Sequence, residues 1–469
     1  MFDKKTIKKI IFELISIIAA LIIANLPIPD GLDKNGMLAL AILIWAVLNW
    51  ILNTMNDFIV VMIMCCAFVI FKVVPFEIAF SAFSGTTYWL LLGALGLGCG
   101  IVKSGLITRL SLYCMKIMPP TFFGQTLAMF ISSIFVGPLI PSTSAKVAIL
   151  APMTISIGEK LGYEKKSKGM FGIWSAMYFA FNQMAPFFIS SSFLGYVTLS
   201  FLPKEISAEF TYPKWIISML VWGIVMYVLG FVAINLLYKP KESQKLDKTD
   251  IAMMLKEMGP INKQEKSVLA VILVCLVFWM LERTLGISAS VTSVMGFSVL
   301  LATGIVTPQD FNTKINWSFL TFVGGAVSLA SVLSKVGVDK WIGSILEPIM
   351  SGVTSNKLLF IMTIAVITIL TRIVIASVTA TMTLLNIIVI PLCLAAGINP
   401  WIGSIVIYTF CHQFFFKYQS PTTVGAFAAA NGDDTIGWNY VSKFNFVVLG
   451  VEMIAILASI PFWHLLGLM

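Results

Sequence analysis

Apolar blocks of roughly 17 to 25 residues recur along nearly the whole chain, each long enough to cross about 30 Å of hydrocarbon. No feature constrains the fold more. Backbone that crosses lipid must satisfy its own hydrogen bonds, so blocks of this length are read as transmembrane helices and the chain as an all-α polytopic membrane protein. Composition agrees: 58% of residues are hydrophobic and 11% charged, and the mean hydropathy is +0.95, whereas a soluble domain carries about 25% charged residues. The net charge of +9 does not imply nucleic acid, because the lysines lie at block ends and in a few loops, with no basic stripe interleaved with aromatics. Cys65, Cys66, Cys99, Cys114, Cys275, Cys393 and Cys411 all lie in apolar blocks without metal or disulfide spacing. They read as small core residues, and neither metal nor cofactor is expected. The N-terminus, MFDKKTIKKI, runs into an apolar block ending near Leu26 with no small-residue cleavage site, which is the pattern of a retained first helix.

Crossing segments are expected at 8–27, 37–53, 57–75, 88–117, 169–202 and 213–237, then, beyond a polar stretch at 239–266, at 267–286, 289–306, 316–345, 400–432 and 442–467. Two further apolar segments are interrupted: 121–160 by Pro141-Ser142-Thr143-Ser144, and 355–397 near Ser377-Val378-Thr379. Three lysine clusters set the orientation: Lys4 to Lys9, Lys160 to Lys168, and Lys239 to Lys266. They share one side only if each interrupted segment enters and leaves by the same face, as a re-entrant hairpin. That gives eleven crossings plus two hairpins, a cytoplasmic N-terminus and an external C-terminus in a cell membrane.

The halves repeat. Pro141-Ser142-Thr143-Ser144-Ala145-Lys146 parallels Ala376-Ser377-Val378-Thr379-Ala380-Thr381, and 44 residues separate Ser142 from Pro186 just as 44 separate Ser377 from Pro421. Both prolines interrupt apolar segments beside hydroxyls: Ser190, Ser191 and Ser192 in one copy, Ser420, Thr422 and Thr423 in the other. Trp89 to Gly93 has a looser echo in Trp317 to Gly325. With five crossings per copy the repeats must be inverted, and inverted repeats with broken helices mark transporters whose substrate lies near the midplane. A lone break is usually a tolerated kink or a packing serine. Four breaks at matched spacing argue for a site. Helices that restart after a break aim their N–H groups and positive dipole ends at it. Two such tips meeting head to head suit a small anion with a carboxylate at each end.

Here the sequence resembles the divalent anion:sodium symporter family, the INDY-type di- and tricarboxylate transporters, in segment order over nearly its whole length. The family carries a Ser-Asn-Thr motif at both tips; the matching triplets are Ser142-Thr143-Ser144 and Ser377-Val378-Thr379. The resemblance implies a substrate site built from Ser142, Thr143, Ser144, Ser377, Val378 and Thr379 at the tips, and from Ser190, Ser191, Ser420, Pro421 and Thr422 at the broken helices. It also implies a mobile transport domain sliding elevator-fashion against a dimeric scaffold. On that plan 1–117 holds the N-terminal helix and scaffold helices, 118–237 the first hairpin and transport helices, 238–266 a cytoplasmic linker, 267–350 scaffold helices, and 351–469 the second hairpin and transport helices.

Thr143 and Val378 replace the family's asparagines, which help to build the sodium and substrate sites in sodium-coupled members. Nearby stand cations. Lys146 would lie in the first turn of the restarting helix, where a lysine costs about 2.5–3.5 kcal/mol to insert. His412, one of two histidines, is deep in a crossing, and Lys417 precedes Pro421 by four residues. Arg372 and Glu452 are intramembrane charges without an assigned partner. Lys146, His412 and Lys417 are expected to compensate the substrate's charge in place of sodium. A fixed cation cannot leave with the substrate, so the empty carrier is costly to return. The expected activity is therefore sodium-independent exchange of C4–C5 dicarboxylates. The alternatives are a sodium symporter of the same fold with backbone-held ions, and a membrane-embedded hydrolase. The hydrolase lacks a Gly-x-Ser-x-Gly elbow and a His-Glu-x-x-His motif, and has no use for inverted repeats. A channel suits trapped tips poorly.

Overall fold

The computed structural model describes residues 4–241, 248–354 and 356–469, and every regular element among them is helical. The first half runs α1 (Lys4–Ala24), α2 (Lys34–Leu52), α3 (Asp57–Ile70), α4 (Thr86–Ser104), α5 (Leu106–Ile117), α6 (Phe122–Val136), α7 (Thr143–Lys160), α8 (Lys168–Tyr178), α9 (Phe193–Phe201) and α10 (Leu220–Leu237). The polar stretch contains a short helix, α11 (Lys248–Glu257); residues 242–247 lie outside the described residues. The second half runs α12 (Lys263–Met280), α13 (Ala289–Ala302), α14 (Pro308–Lys314), α15 (Trp317–Lys335), α16 (Val338–Thr354), α17 (Lys357–Val374), α18 (Val378–Ala395), α19 (Pro400–Cys411), α20 (Pro421–Ala429) and α21 (Trp438–Leu465).

Eight of the described helices are long and apolar enough to cross a membrane unaided. Three of the eight, Phe122–Leu139, Lys357–Val374 and Val378–Ala395, belong to the two interrupted segments, while the helices of other expected crossings are shorter, among them Asp57–Ile70, Ala289–Ala302 and Pro400–Cys411. Two expected crossings are also subdivided. The 88–117 segment turns at Gly105, whose φ of +77° ends α4, and the 316–345 segment turns at Gly337, with φ +74°. Both angles lie in the left-handed region that only glycine adopts without cost.

Helix ends are written in the sequence. Asp33, Thr121, Ser167, Asn316 and Asn399 each accept an N–H of the helix that follows. Asn262 with Glu265, and Thr307 with Asp310, form reciprocal capping boxes. Close packing is equally explicit along α4. Gly93, Gly96 and Gly100 lie on one face, where an added Cβ would meet Ser293 backbone at 2.5 Å, the Phe297 ring at 2.2 Å and Leu300 at 2.6 Å. Small residues let two backbones approach in a medium where apolar burial gives no driving force.

Three ion pairs occur among the described residues, and two of them reach the linker. Lys103 at the end of α4 holds Asp310 of α14 at 2.6 Å, Arg109 of α5 holds Glu265 of α12 at 2.7 Å, and Lys160 at the end of α7 holds Asp250 of α11 at 2.6 Å. The pair between Arg109 and Glu265 is buried, and Arg109 also donates to the carbonyls of Gly259 and Met258. Lys160 ends the first interrupted segment. Gln125, near its start, donates to Met115 at the end of α5.

Candidate functional site

Four helices restart inside the protein, and each restart is capped by a serine. Ser142 Oγ accepts the Ala145 N–H at the head of α7, and Ser377 Oγ the Ala380 N–H at the head of α18. Ser192 caps α9 through the Leu194 N–H, and Ser420 caps α20 through the Thr423 N–H. Serine is favoured here because its hydroxyl takes one of the N–H groups that the first turn leaves unpaired. The capping reading and the site reading thus coexist: the caps fix four helix N-termini at the breaks, and each N-terminus is a place for negative charge.

The breaks are unequal. The first spans 179–192, a π turn at Phe179–Gln183 followed by two 3-10 turns. The second spans 412–420, with one 3-10 turn at Lys417–Gln419. The equal proline spacing therefore does not mark equal positions. Pro186 sits within a 3-10 turn, six residues before the Ser192 cap, whereas Pro421 is the first residue of α20. The longer first break carries its own bonding: Trp215 Nε1–H donates to the Pro186 carbonyl at 3.0 Å and Ser190 Oγ–H to the Pro138 carbonyl at 2.6 Å.

Tip and break of the same repeat are tied together. In the first, the Phe193 N–H donates to the Pro141 carbonyl at 2.8 Å, and the Lys146 ammonium donates to the Ser191 carbonyl at 2.7 Å, the Ser191 Oγ at 2.8 Å and the Gly137 carbonyl at 3.3 Å. Lys146 is fully buried, spends its donors on protein oxygens and has no carboxylate beside it. It does not face an open cavity. The two repeats also meet. Helix α7 packs along α20 and α18 along α9, so each tip's restarting helix lies against the other repeat's break. Ser144 Oγ and Thr422 Oγ1 are 2.7 Å apart, and the Tyr178 hydroxyl pairs with Thr423 Oγ1. Thr143 is buried, and Ser142, Ser377, Val378, Thr379 and Thr422 are half-buried, while Ser144 and Pro421 are exposed; Ser377 and Thr379 hydroxyls are 3.1 Å apart.

Two expected cations of the second break make contacts of their own. Lys417 is exposed, its ammonium over the Trp438 ring at 4.8 Å and the Phe427 ring at 5.8 Å. His412 begins the second break with Nδ1 against the Tyr408 carbonyl at 3.1 Å, which settles its ring within its own helix turn. Other polar groups at the breaks carried no motif in the sequence. Gln419 is buried, and its side-chain oxygen accepts the N–H groups of Phe415 and Phe416. Gln183 and Gln413, one in each break, are buried with amide atoms that find no protein partner. A glutamine inside a broken apolar segment was the available signal.

A cavity of about 1800 Å³ is a separate feature. It opens between α9 and α18 on one side and α15 and the heads of α4 and α13 on the other, near Lys204, Lys335 and Asn386. No tip residue lines it. No cluster of three His, Cys, Asp or Glu side chains occurs among the described residues.

Residues 7–469 match the family model described as the sodium:sulfate symporter transmembrane region. The chain is 26% identical to a putative malate transporter, YflS, of Bacillus subtilis over 74% of each chain. It is 25% identical to chloroplastic dicarboxylate transporter 1 of Spinacia oleracea, over 72% of this chain and 61% of that one. It is 26% identical to the inner membrane protein YbhI of Escherichia coli, over 72% and 74%. The chain thus spans less than two thirds of the plant relative. Its fold is similar to that of the YdaH transporter of Alcanivorax borkumensis, with a TM-score of 0.60 and 12% identity over 97% of this chain and 98% of that one.

Proposed function

Since the chain belongs to the sodium:sulfate symporter transmembrane family, whose match spans all but its first six residues, we propose that it is a secondary transporter that exchanges C4–C5 dicarboxylates without sodium. Malate, succinate, fumarate and 2-oxoglutarate are the substrates of choice, with citrate as a larger candidate; the names of the bacterial and plant relatives support this class. The observation that carries the exchange reading is Lys146. A buried ammonium bridges tip and break, without a carboxylate partner, where the chain also carries Thr143 and Val378. A valine side chain coordinates nothing. A cation fixed by three bonds remains when the substrate leaves, and moving it unpaired through a low-dielectric barrier is costly. Return is therefore cheap only with a second anion in place.

The substrate's carboxylates sit at the two tips, against hydroxyls of Ser144, Thr422, Ser377 and Thr379 and the N-termini of α7, α20 and α18. Ser142, Ser190, Ser191 and Ser420 act one step back, shaping the breaks. The tips and broken helices move as one transport domain against a scaffold that dimerises, with the 238–266 linker and N-terminus in the cytoplasm and the C-terminus outside. Sodium symport is the second reading, favoured by the description of the family model itself. Initial rates of labelled succinate uptake in sodium and in choline, with and without internal succinate, separate the two. Exchange requires internal anion and ignores sodium.

A further inference from the structure

Lys146 has a counterpart in the other repeat that its sequence position hides. Arg372 lies in the last turn of α17, five residues before the Ser377 cap, and is 1% exposed. One terminal nitrogen donates to the Ile375 carbonyl at 2.9 Å and to the Ala376 carbonyl, and the other donates to the Gln419 carbonyl. Gln419 answers through its Nε2–H to the Arg372 carbonyl at 2.7 Å. Nε finds no protein partner, and none of the ion pairs among the described residues includes Arg372. Lys146 joins Gly137 of the first tip to Ser191 of the first break; Arg372 joins Ile375 and Ala376 of the second tip to Gln419 of the second break.

We propose that the carbonyls of Ile375, Ala376 and Gln419 form a cation seat in the second repeat, permanently filled by the Arg372 guanidinium. Arg372 is then the second fixed charge of the carrier and a positioning residue for the second tip. Carbonyls from a helix C-terminal end and from unwound backbone are what hold small cations inside membranes, and hard cations take oxygen ligands of this kind. The planar fork of a guanidinium sets the spacing of its acceptors, which a flexible ammonium does not. Its placement fixes the tip relative to the break, and with it the direction of the α18 N-terminus. The assignment rests on the exchanger reading and replaces His412 and Lys417 as the second compensating charge.

Arg372→Ala and Arg372→Lys test it in proteoliposomes loaded with succinate, with uptake read in choline, in sodium, and in choline with millimolar guanidinium hydrochloride. Wild type should be equal in all three. Arg372→Ala should lose at least about tenfold in choline and recover at least about threefold with sodium or guanidinium, because the vacated carbonyls accept an added cation. Arg372→Lys keeps the charge but not the fork, so its KM should rise by about three- to tenfold with Vmax within about twofold of wild type. Unchanged uptake by Arg372→Ala in choline overturns the proposal, as does a loss that neither cation restores in folded, monodisperse protein. If Arg372→Ala does not fold, Arg372→Lys decides: equal losses with no KM change overturn the seat. Sodium-dependent uptake by wild type is a different failure, that of the exchanger reading, and appears in the wild-type arm alone.

Discussion

Ser144 and Thr422 offer the sharpest local test, because the structure sets the size of the effect. Their hydroxyls pair with each other at 2.7 Å across the two repeats. A carboxylate arriving there replaces a neutral hydroxyl pair, worth about 0.5–1.5 kcal/mol, with charge-assisted bonds worth about 1.5–3 kcal/mol each. The net gain per hydroxyl is therefore about 1–2 kcal/mol, or roughly five- to thirtyfold in affinity. Ser144→Ala and Thr422→Val should each raise the KM for succinate exchange by that factor, and valine keeps the shape of threonine. Each single change already breaks the pair in the empty site and so removes the cost of breaking it, a saving the double variant makes only once, so the double should cost more than the sum of the singles, by about 0.5–1.5 kcal/mol. The assay is counter-flow into succinate-loaded proteoliposomes with protein content normalised. A KM within twofold of wild type for both single variants would remove this junction from the substrate site, and strict additivity would mean that the two hydroxyls do not share one carboxylate.

The buried pair of Arg109 and Glu265 predicts that Glu265→Gln destabilises by about 3–5 kcal/mol, lowering the melting temperature in detergent; an unchanged temperature contradicts it. At the opposite extreme is Asp310, whose carboxyl is held well below the ordinary range by the Lys103 ammonium and then by the Thr307 hydroxyl and N–H. A depressed folded value means stabilisation that is complete above the ordinary carboxylate value of about 3.9 and fades as pH falls below it. The melting-temperature gap between wild type and Asp310→Asn should therefore be equal at about pH 7 and pH 5 and smaller at about pH 3; a gap that widens on acidification refutes the assignment. Topology is checked on a background without native cysteines. A cysteine at Lys256 should resist impermeant thiol reagent in intact cells and one at Arg283 should react; the reverse pattern inverts the proposed orientation. Ser243, the position that the sequence alone suggests for this test, lies outside the described residues.

Much of this architecture was legible in the sequence because lipid imposes a length rule and broken helices need caps. Ser142 and Ser377 stood out as polar triplets in apolar segments, and both prove to be N-caps. The first break was less legible. Pro186 drew attention, yet the chain leaves the α-helix at Phe179, seven residues before that proline, and resumes only after Ser192. Partners were beyond reach for a simple reason: Lys146 binds Ser191 and Arg372 binds Gln419, 45 and 47 positions away. Lys417 misled through proximity to Pro421, since its short 3-10 turn directs it over the Trp438 and Phe427 rings. Its long stem and charged head suit an aromatic surface as well as a buried site.

The central claim is that fixed cations replace sodium and trap the empty carrier. Its most direct test is uptake of labelled succinate into proteoliposomes in a four-way comparison: sodium or choline outside, succinate or none inside. The account predicts equal rates in sodium and choline when the liposomes are loaded, and negligible uptake in either when they are empty. Strong sodium-dependent uptake into empty liposomes would contradict it and leave a sodium symporter in its place.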